Sequence, residues 1–400
     1  MRVGINSNKE TLLSSVMSNS IISIINILFP LITIPLITST LGSEKYGLYA
    51  SILSFIFLIN TFMELGLKMG LIKKVGDGCD INENLYFYLL VKSILTLSVF
   101  PIFYIYYENF LWGYFALSFL MIDVSWYYQS SSKMKRFMHF SFLSKISAIP
   151  VFLYFYYTGG DINDFLFSYS ISWFVLGLIC FFDVFKNLES RFIRKMILSD
   201  MLSTLLMSFK FYIFRLPNTI YMSSSVFIAS FFLTNIDLSL FALSFQIYGI
   251  GGAFIGAISI SLFSRKGQFD YGKVAILTSI CVLFFFPIYY LCATHLVPIV
   301  FGLDFQEAKG LILLFYISTC FQVFGSILGY PYLNSISKIN VAHNTMLFSS
   351  IGFFLFVFLC SFFSHLSSYH FVFAIIFADF LLAATRGGYF LLNKRGRLKL

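Results

Sequence analysis

Seven ionisable residues stand inside stretches that otherwise carry no charge: Lys92, Asp123, Lys145, Lys210, Arg215, Asp379 and Arg386. Glu64 and Asp183 lie near the ends of two such stretches. A charge in an apolar medium is costly unless it meets a partner, a cavity or water, so each is a candidate for binding or ion handling. Lysine and arginine in such a place attract phosphate or carboxylate, and a carboxylate balances them or carries a cation. Other residue types offer less chemistry. The six cysteines form no CxxC pair and read as small buried hydrophobes, and none of the five histidines stands at metal-ligand spacing with a cysteine or carboxylate. No metal site and no cofactor is expected. The chain contains no GxxxxGK[ST] phosphate loop, no GxSxG and no HExxH, so neither ATP hydrolysis nor the common hydrolase chemistries are expected. Gly252 and Gly256 in GIGGAFIG stand at GxxxG spacing, a helix-packing signal.

The elements that carry these charges follow from composition. The 400 residues are 58% hydrophobic, 20% aromatic and only 11% charged, against about 25% charged in a soluble domain. From Thr11 to Ser43 there is no Asp, Glu, Lys or Arg, and a run of roughly 20 apolar residues already crosses a bilayer. That run is too long for a cleaved signal segment, and no small-x-small site follows it. Apolar runs between charged breaks predict twelve helices, approximately 17–41, 46–66, 85–107, 110–130, 137–157, 164–185, 209–233, 238–263, 273–294, 308–330, 341–363 and 369–392.

The basic residues test that series. With the amino terminus in the cytoplasm, twenty Lys and Arg fall in cytoplasmic segments and two, Lys45 and Lys309, in the opposite loops. This is the positive-inside pattern, and an odd error in the number of helices would scramble it. Both termini are expected in the cytoplasm of a multi-pass inner-membrane protein. The net charge of +9 is then a topology signal with an attraction to anionic membrane lipids, and no nucleic acid partner is implied. Residues 186–204 form the longest inner connection, basic and amphipathic, as suits a helix lying on the membrane surface. It divides the chain into bundles of six helices, 1–185 and 205–400. Each has an even number of spans, so a repeat between them would be parallel, about an axis along the membrane normal.

Depth along these helices places the charges. Lys92 and Asp123 each lie about seven residues from the inner ends of neighbouring antiparallel helices, a level at which they can pair. Arg215 and Arg386 enter at a similar depth, and Asp379 and Arg386, seven apart, share a helix face. Together Lys92, Asp123, Arg215, Asp379 and Arg386 suggest a mainly basic ring in the inner half of the membrane, around a cavity suited to an anionic head group. Lys145 and Lys210 read instead as side chains that snorkel to the inner interface. Pro30 and Pro35 sit mid-span in the first helix, where they release backbone carbonyls and permit a bend. They are candidate gate residues.

Four stretches carry a family resemblance, in order along the chain. NILFPLITIPLITSTLGSEKYGLYASILSF, from Asn26 to Phe55, resembles the amino-terminal signature of Wzx-type polysaccharide-unit flippases of the multidrug/oligosaccharidyl-lipid/polysaccharide exporter (MOP) superfamily. MELG at Met63–Gly66, SWYYQ at Ser125–Gln129 and VPIVFGLDFQEA at Val297–Ala308 resemble later motifs of the same family. Thr38 and the serines at Ser130–Ser132 depart from its pattern. The resemblance implies an all-α membrane protein with a MATE/MurJ-like pair of bundles. It also implies a flippase that moves an undecaprenyl-diphosphate-linked oligosaccharide unit, for O-antigen or capsule and lipopolysaccharide assembly, from the cytoplasmic to the periplasmic leaflet. Alternating access coupled to an ion gradient would drive it, with a polysaccharide polymerase and a chain-length regulator as partners. It would not be an enzyme. A cation-coupled drug exporter of the same superfamily and an integral-membrane glycan polymerase or ligase are the alternatives.

Overall fold

The fold is known from a computed structural model, which describes residues 12–185, 198–264, 270–363 and 365–394. Among them there is no strand, as a lipid-exposed chain requires: a helix satisfies every backbone group within its own segment. The helices are α1 (Leu12–Met63), α2 (Leu67–Gly76), α3 (Ile81–Tyr107), α4 (Leu111–Met121), α5 (Ser125–Ser130), α6 (Met134–Thr158), α7 (Ile162–Phe185) and α8 (Leu198–Ala229). They continue as α9 (Asn235–Ser264), α10 (Tyr271–Phe284), α11 (Phe286–Leu291), α12 (Val297–Phe301), α13 (Ala308–Ile327), α14 (Tyr330–Ser335), α15 (Ile339–Phe363) and α16 (Ser368–Lys394). Helix occupies most of each of the twelve expected stretches, but the number of spans among the described residues is not the twelve expected. By length and apolarity, eight helices among the described residues suffice to cross a membrane, or nine if the bent pair in 271–301 counts as one span. Large side chains such as Ile105, Ile299 and Phe363 are 77–86% exposed, while Ser144, Ser172 and Ser318 are buried. Apolar outside and small polar inside is the pattern of a multi-pass membrane protein.

Two of the expected spans are broken within, and the first two meet at a kink. α1 comprises two helices joined at Gly42, its one non-helical residue at φ 71° and ψ 178°, where the turn between the first two spans was expected, and Pro30 and Pro35 keep helical backbone. The hydroxyls of Ser39 and Thr40 donate to the Pro35 and Leu36 carbonyls at 2.6 and 2.8 Å. The expected span 110–130 splits into α4 and α5 because Asp123 offers its carboxylate to the Ser125 N–H at 2.8 Å, an alternative to helical bonding. The expected span 273–294 bends by 40° between α10 and α11. Pro287 has no N–H to continue the ladder, and the Tyr316 hydroxyl donates to the Val282 carbonyl just before the bend. A π-helical turn, Cys292–Leu296, follows.

The chain forms two compact units. One comprises Met1–Phe29, Phe62–Val151 and Leu166–Tyr212; the other comprises Pro30–Thr61, Phe152–Phe165 and Ile213–Leu400. The core of the first gathers Leu67, Leu71, Leu85, Tyr88, Trp126 and Tyr128. In the second, Ile255, Tyr271, Val323, Ile327 and Leu333 pack together, and α13 packs against both α9 and α16. Of the basic connection 186–204, residues 186–197 lie outside the described residues.

Candidate functional site

In the first unit the site is built on the break between α1 and α2. After Met63 the chain turns through Leu65 at φ 49° and Gly66 at φ 69°. A side chain at Gly66 would be strained by that φ and would meet the Ser208 carbonyl oxygen at 2.2 Å. At Gly70, one turn on, a Cβ would lie 2.0 Å from the Ser208 hydroxyl. The two glycines therefore let α2 approach α8 at Ser208. The turn strips the end of α1 of its ladder partners, and Lys92 of α3, 1% exposed, donates its ammonium to the Met63 carbonyl at 2.8 Å.

Lys68, in the first turn of α2, reaches the Asp123 Oδ2 at 2.6 Å, and the two side chains are 27% and 18% exposed. Asp123 is held from its own side: the Ser125 N–H and hydroxyl donate to its carboxylate at 2.8 and 3.1 Å. The Tyr88 hydroxyl donates to the Asp123 carbonyl at 2.6 Å. The expected pair of Lys92 with Asp123 is thus replaced: Lys68 takes the carboxylate, and Lys92 is spent on the carbonyl that the helix break orphans. Farther along the same unit Arg136 pairs with Asp183, and the Tyr128 hydroxyl donates to Asp183 at 3.0 Å. The arrangement presents a partly open ammonium paired with a mostly buried carboxylate, which is the chemistry needed to exchange a carboxylate for a phosphate.

Lys145 also differs from expectation. It is buried at 5% exposure rather than extended to the interface. Its ammonium lies 4.2 Å from the Trp173 ring centre, 4.8 Å from Phe29 and 5.9 Å from Tyr169. Ser172 Oγ is at 3.4 Å. Aromatic faces replace the carboxylate as its electrostatic partners.

In the second unit the structure places Asp379 and Arg386 two turns apart on α16 but in separate networks. Arg386 is 2% exposed and donates to Thr345 Oγ1 at 2.9 Å, to the Ala342 carbonyl at 3.0 Å and to the Gly325 carbonyl. A Cβ on Gly329 would collide with its guanidinium. Gly325 lies in the last turn of α13, where carbonyls lack helical partners, and Ala342 in the first turn of α15. Asp379 Oδ2 accepts from the hydroxyls of Tyr248 on α9 and Ser318 on α13, the latter at 2.6 Å. Gln322 of α13 donates to the Tyr248 oxygen. Arg215 lies on α8, but its side chain, like that of Lys210, is outside the described residues. Lys68 carried no mark in the sequence beyond its place among the inner loop charges. Ser318 and Gln322 were findable as polar residues four apart, hence on one face, of a mainly apolar helix.

The fold is that of a membrane transporter of the MATE type. A MATE family multidrug transporter of the MOP superfamily in an inward-facing conformation superposes with a TM-score of 0.69 at 12% identity, over 94% of this chain and 96% of that one. A eukaryotic MATE transporter gives 0.58 at 12% identity over 96% of each chain. A MOP superfamily transporter from Pyrococcus furiosus, reported to have a binding pocket of reverse polarity, gives 0.53 at 12% over 98% of each. At such identities these likenesses show the fold. The family described as "Polysaccharide biosynthesis protein" matches residues 12–265, and the chain belongs to that family. It is 27% identical over 188 residues to a putative O-antigen transporter of Escherichia coli (strain K12), a match covering 44% of this chain and 45% of that protein. The chain thus matches about half the length of this curated relative. Fold and family together define a multi-pass, all-helical membrane protein of the polysaccharide biosynthesis family with a MATE-type fold.

Proposed function

We propose that the protein is a flippase for undecaprenyl-diphosphate-linked oligosaccharide units, moving them from the cytoplasmic to the periplasmic leaflet of the bacterial inner membrane. The observation that carries this reading is the family match over residues 12–265, and the O-antigen relative supports it. Substrate, direction and membrane come from the family resemblance and the positive-inside pattern. Two six-helix halves, 1–185 and 205–400, would alternate access between leaflets, driven by an ion gradient. Lys68 at the α1–α2 break, with Arg215, is assigned to the diphosphate or to acidic sugars, and Lys92 braces the break from which Lys68 extends. Asp123 restrains Lys68 until the anion replaces it. Asp379 and Arg386 serve the second half, Arg386 by holding helix ends, and Pro30 and Pro35 are assigned to a gate along α1. A polysaccharide polymerase and a chain-length regulator would take the product onward.

The test is rescue of surface polysaccharide in a flippase-null strain, at matched protein level. Wild type restores it, Lys68→Gln with Arg215→Gln reduces it at least tenfold, and export of dyes without rescue overturns the reading in favour of a drug exporter. Proteoliposomes holding a fluorescent lipid-diphosphate oligosaccharide then show whether translocation follows a proton or a sodium gradient.

A further inference from the structure

Gly47, Ser54 and Thr61 stand seven apart on α1, hence on one helix face. All three belong to the second unit, and they meet α8 and the start of α9 within it. At Gly47 a Cβ would stand 2.0 Å from the Asn235 carbonyl oxygen, so the absence of a side chain lets the two backbones come this close. Beside it the Tyr46 ring sits edge-on to Phe305 at 5.7 Å.

In the middle of this seam the Ser54 side chain reaches into the backbone ladder of α8. Its hydroxyl donates to the Ser223 carbonyl at 3.0 Å, and its oxygen accepts the Phe227 N–H at 3.0 Å. Those two groups are four residues apart in one helix and are each other's helical partners. One rung of α8 is thus bridged by a buried side chain from another helix. The Phe55 and Phe227 rings pack at 4.8 Å alongside. At the third position Thr61 Oγ1 donates to the Phe57 carbonyl at 2.9 Å and lies 3.3 Å from Ser223 Oγ.

We infer that Ser54 is an exchangeable rung, through which α1 and α8 part and rejoin as the protein changes conformation. The argument is a count of hydrogen bonds. With Ser54 seated, the Ser223 carbonyl, the Phe227 N–H and the serine hydroxyl are all paired. With Ser54 withdrawn, the Phe227 N–H closes directly on the Ser223 carbonyl. The freed hydroxyl then turns to a carbonyl one turn back in α1, as those of Ser225, Ser239 and Ser244 do in their own helices. Neither state orphans a buried donor or acceptor, so the penalty that ordinarily resists breaking a buried polar contact is absent. The other members of the seam suit reversible contact too: a glycine, a threonine hydroxyl and ring faces, none of them charged. Release of α1 and closure of the α8 rung are then one event, and the position of α1 is registered in the backbone of α8.

The use of this exchange to open one side of a transport path rests on the function proposed above, but the exchange is read without any lipid-linked substrate. In nanodiscs, a Tyr46→Cys, Phe305→Cys pair would be treated with a short thiol cross-linker and the linked peptides identified by mass spectrometry. Hydrogen exchange at the Phe227 amide and the melting temperature are followed in the same background. Ser54→Ala should lower linking about fivefold, while protection of the Phe227 amide and the melting temperature stay at the values of the parent pair, because the rung closes on itself. The isosteric Thr61→Val should lower linking about twofold at an unchanged melting temperature. If linking is unchanged in both variants, or if Ser54→Ala exposes the Phe227 amide or fails to accumulate, Ser54 is a fixed packing element and the inference is overturned. If both variants behave as expected while the wild-type chain does not rescue surface polysaccharide, the exchange stands and the substrate assignment falls.

Discussion

At the scale of single residues, the buried charges separate by what they touch. Lys145 has rings in place of a carboxylate, so its desolvation is offset by cation–π contacts of roughly 0.5–2 kcal/mol each, against a penalty of several kcal/mol for burying an ion. Lys145→Met should therefore leave thermal stability unchanged or raise it, whereas Lys145→Glu should lower it by more than 2 kcal/mol or prevent accumulation. Unfolding followed by tryptophan fluorescence in detergent checks both, and a stable Lys145→Met that no longer transports would assign the ammonium a functional part. Arg386 behaves oppositely. Its fork satisfies the Gly325 carbonyl at the end of α13 and adds a bond to the Ala342 carbonyl of α15, so Arg386→Met should cost about 1–3 kcal/mol by leaving the former unpaired. Arg386→Lys should recover little of that, because a point charge cannot reproduce the fork. Asp123 holds both an ion pair and the start of α5, and Asp123→Ala should destabilise by about 1 kcal/mol more than Asp123→Asn, which keeps the capping acceptor.

At the scale of elements, the glycines of the α1–α2 break and of α1 itself carry distinct loads. Gly42, at φ 71° and ψ 178°, sits in a backbone region essentially confined to glycine but has open space around it, so Gly42→Ala should cost about 1–3 kcal/mol of backbone strain alone. Gly66 is left-handed at φ 69° and ψ 9° and has a backbone oxygen where its Cβ would go, so Gly66→Ala should cost more than Gly42→Ala and no neighbouring substitution should repair it. Gly70 faces a side-chain oxygen, that of Ser208. Gly70→Ala should be damaging alone and largely restored by adding Ser208→Gly. Yields and melting temperatures of these four variants measure the comparison. Such distinctions were invisible in the amino-acid order. MELG marked a helix end, yet the identity of the helix pressed against it depended on Ser208, some 140 positions away. The proline pair shows the converse: chemistry that announces a bend proved compatible with helical backbone at both positions.

At the scale of the whole molecule, the charge asymmetry predicts orientation. A cysteine placed at Lys45 should react with a membrane-impermeant maleimide in intact spheroplasts, and the exposed Cys79 should react only after permeabilisation. The reverse pattern would overturn the inside placement of both termini.

What the order of residues determined alone is that the chain is an all-helical, multi-pass membrane protein. Absence of charge over helix-length runs dictates burial in lipid, and lysine and arginine placement predicts a sidedness, because both are additive along the sequence. The set of buried charges was legible for the same reason. Their partners were not: the spacing puts Lys92 and Asp123 at a depth where they can pair, but the orphaned Met63 carbonyl takes Lys92 and Lys68 takes the aspartate. Lys145 found three rings from two other helices, and Asp379 found Ser318, Gln322 and Tyr248. Pairing in a low-dielectric interior is settled within a few ångströms, a distance that only the packing of helices far apart in sequence decides.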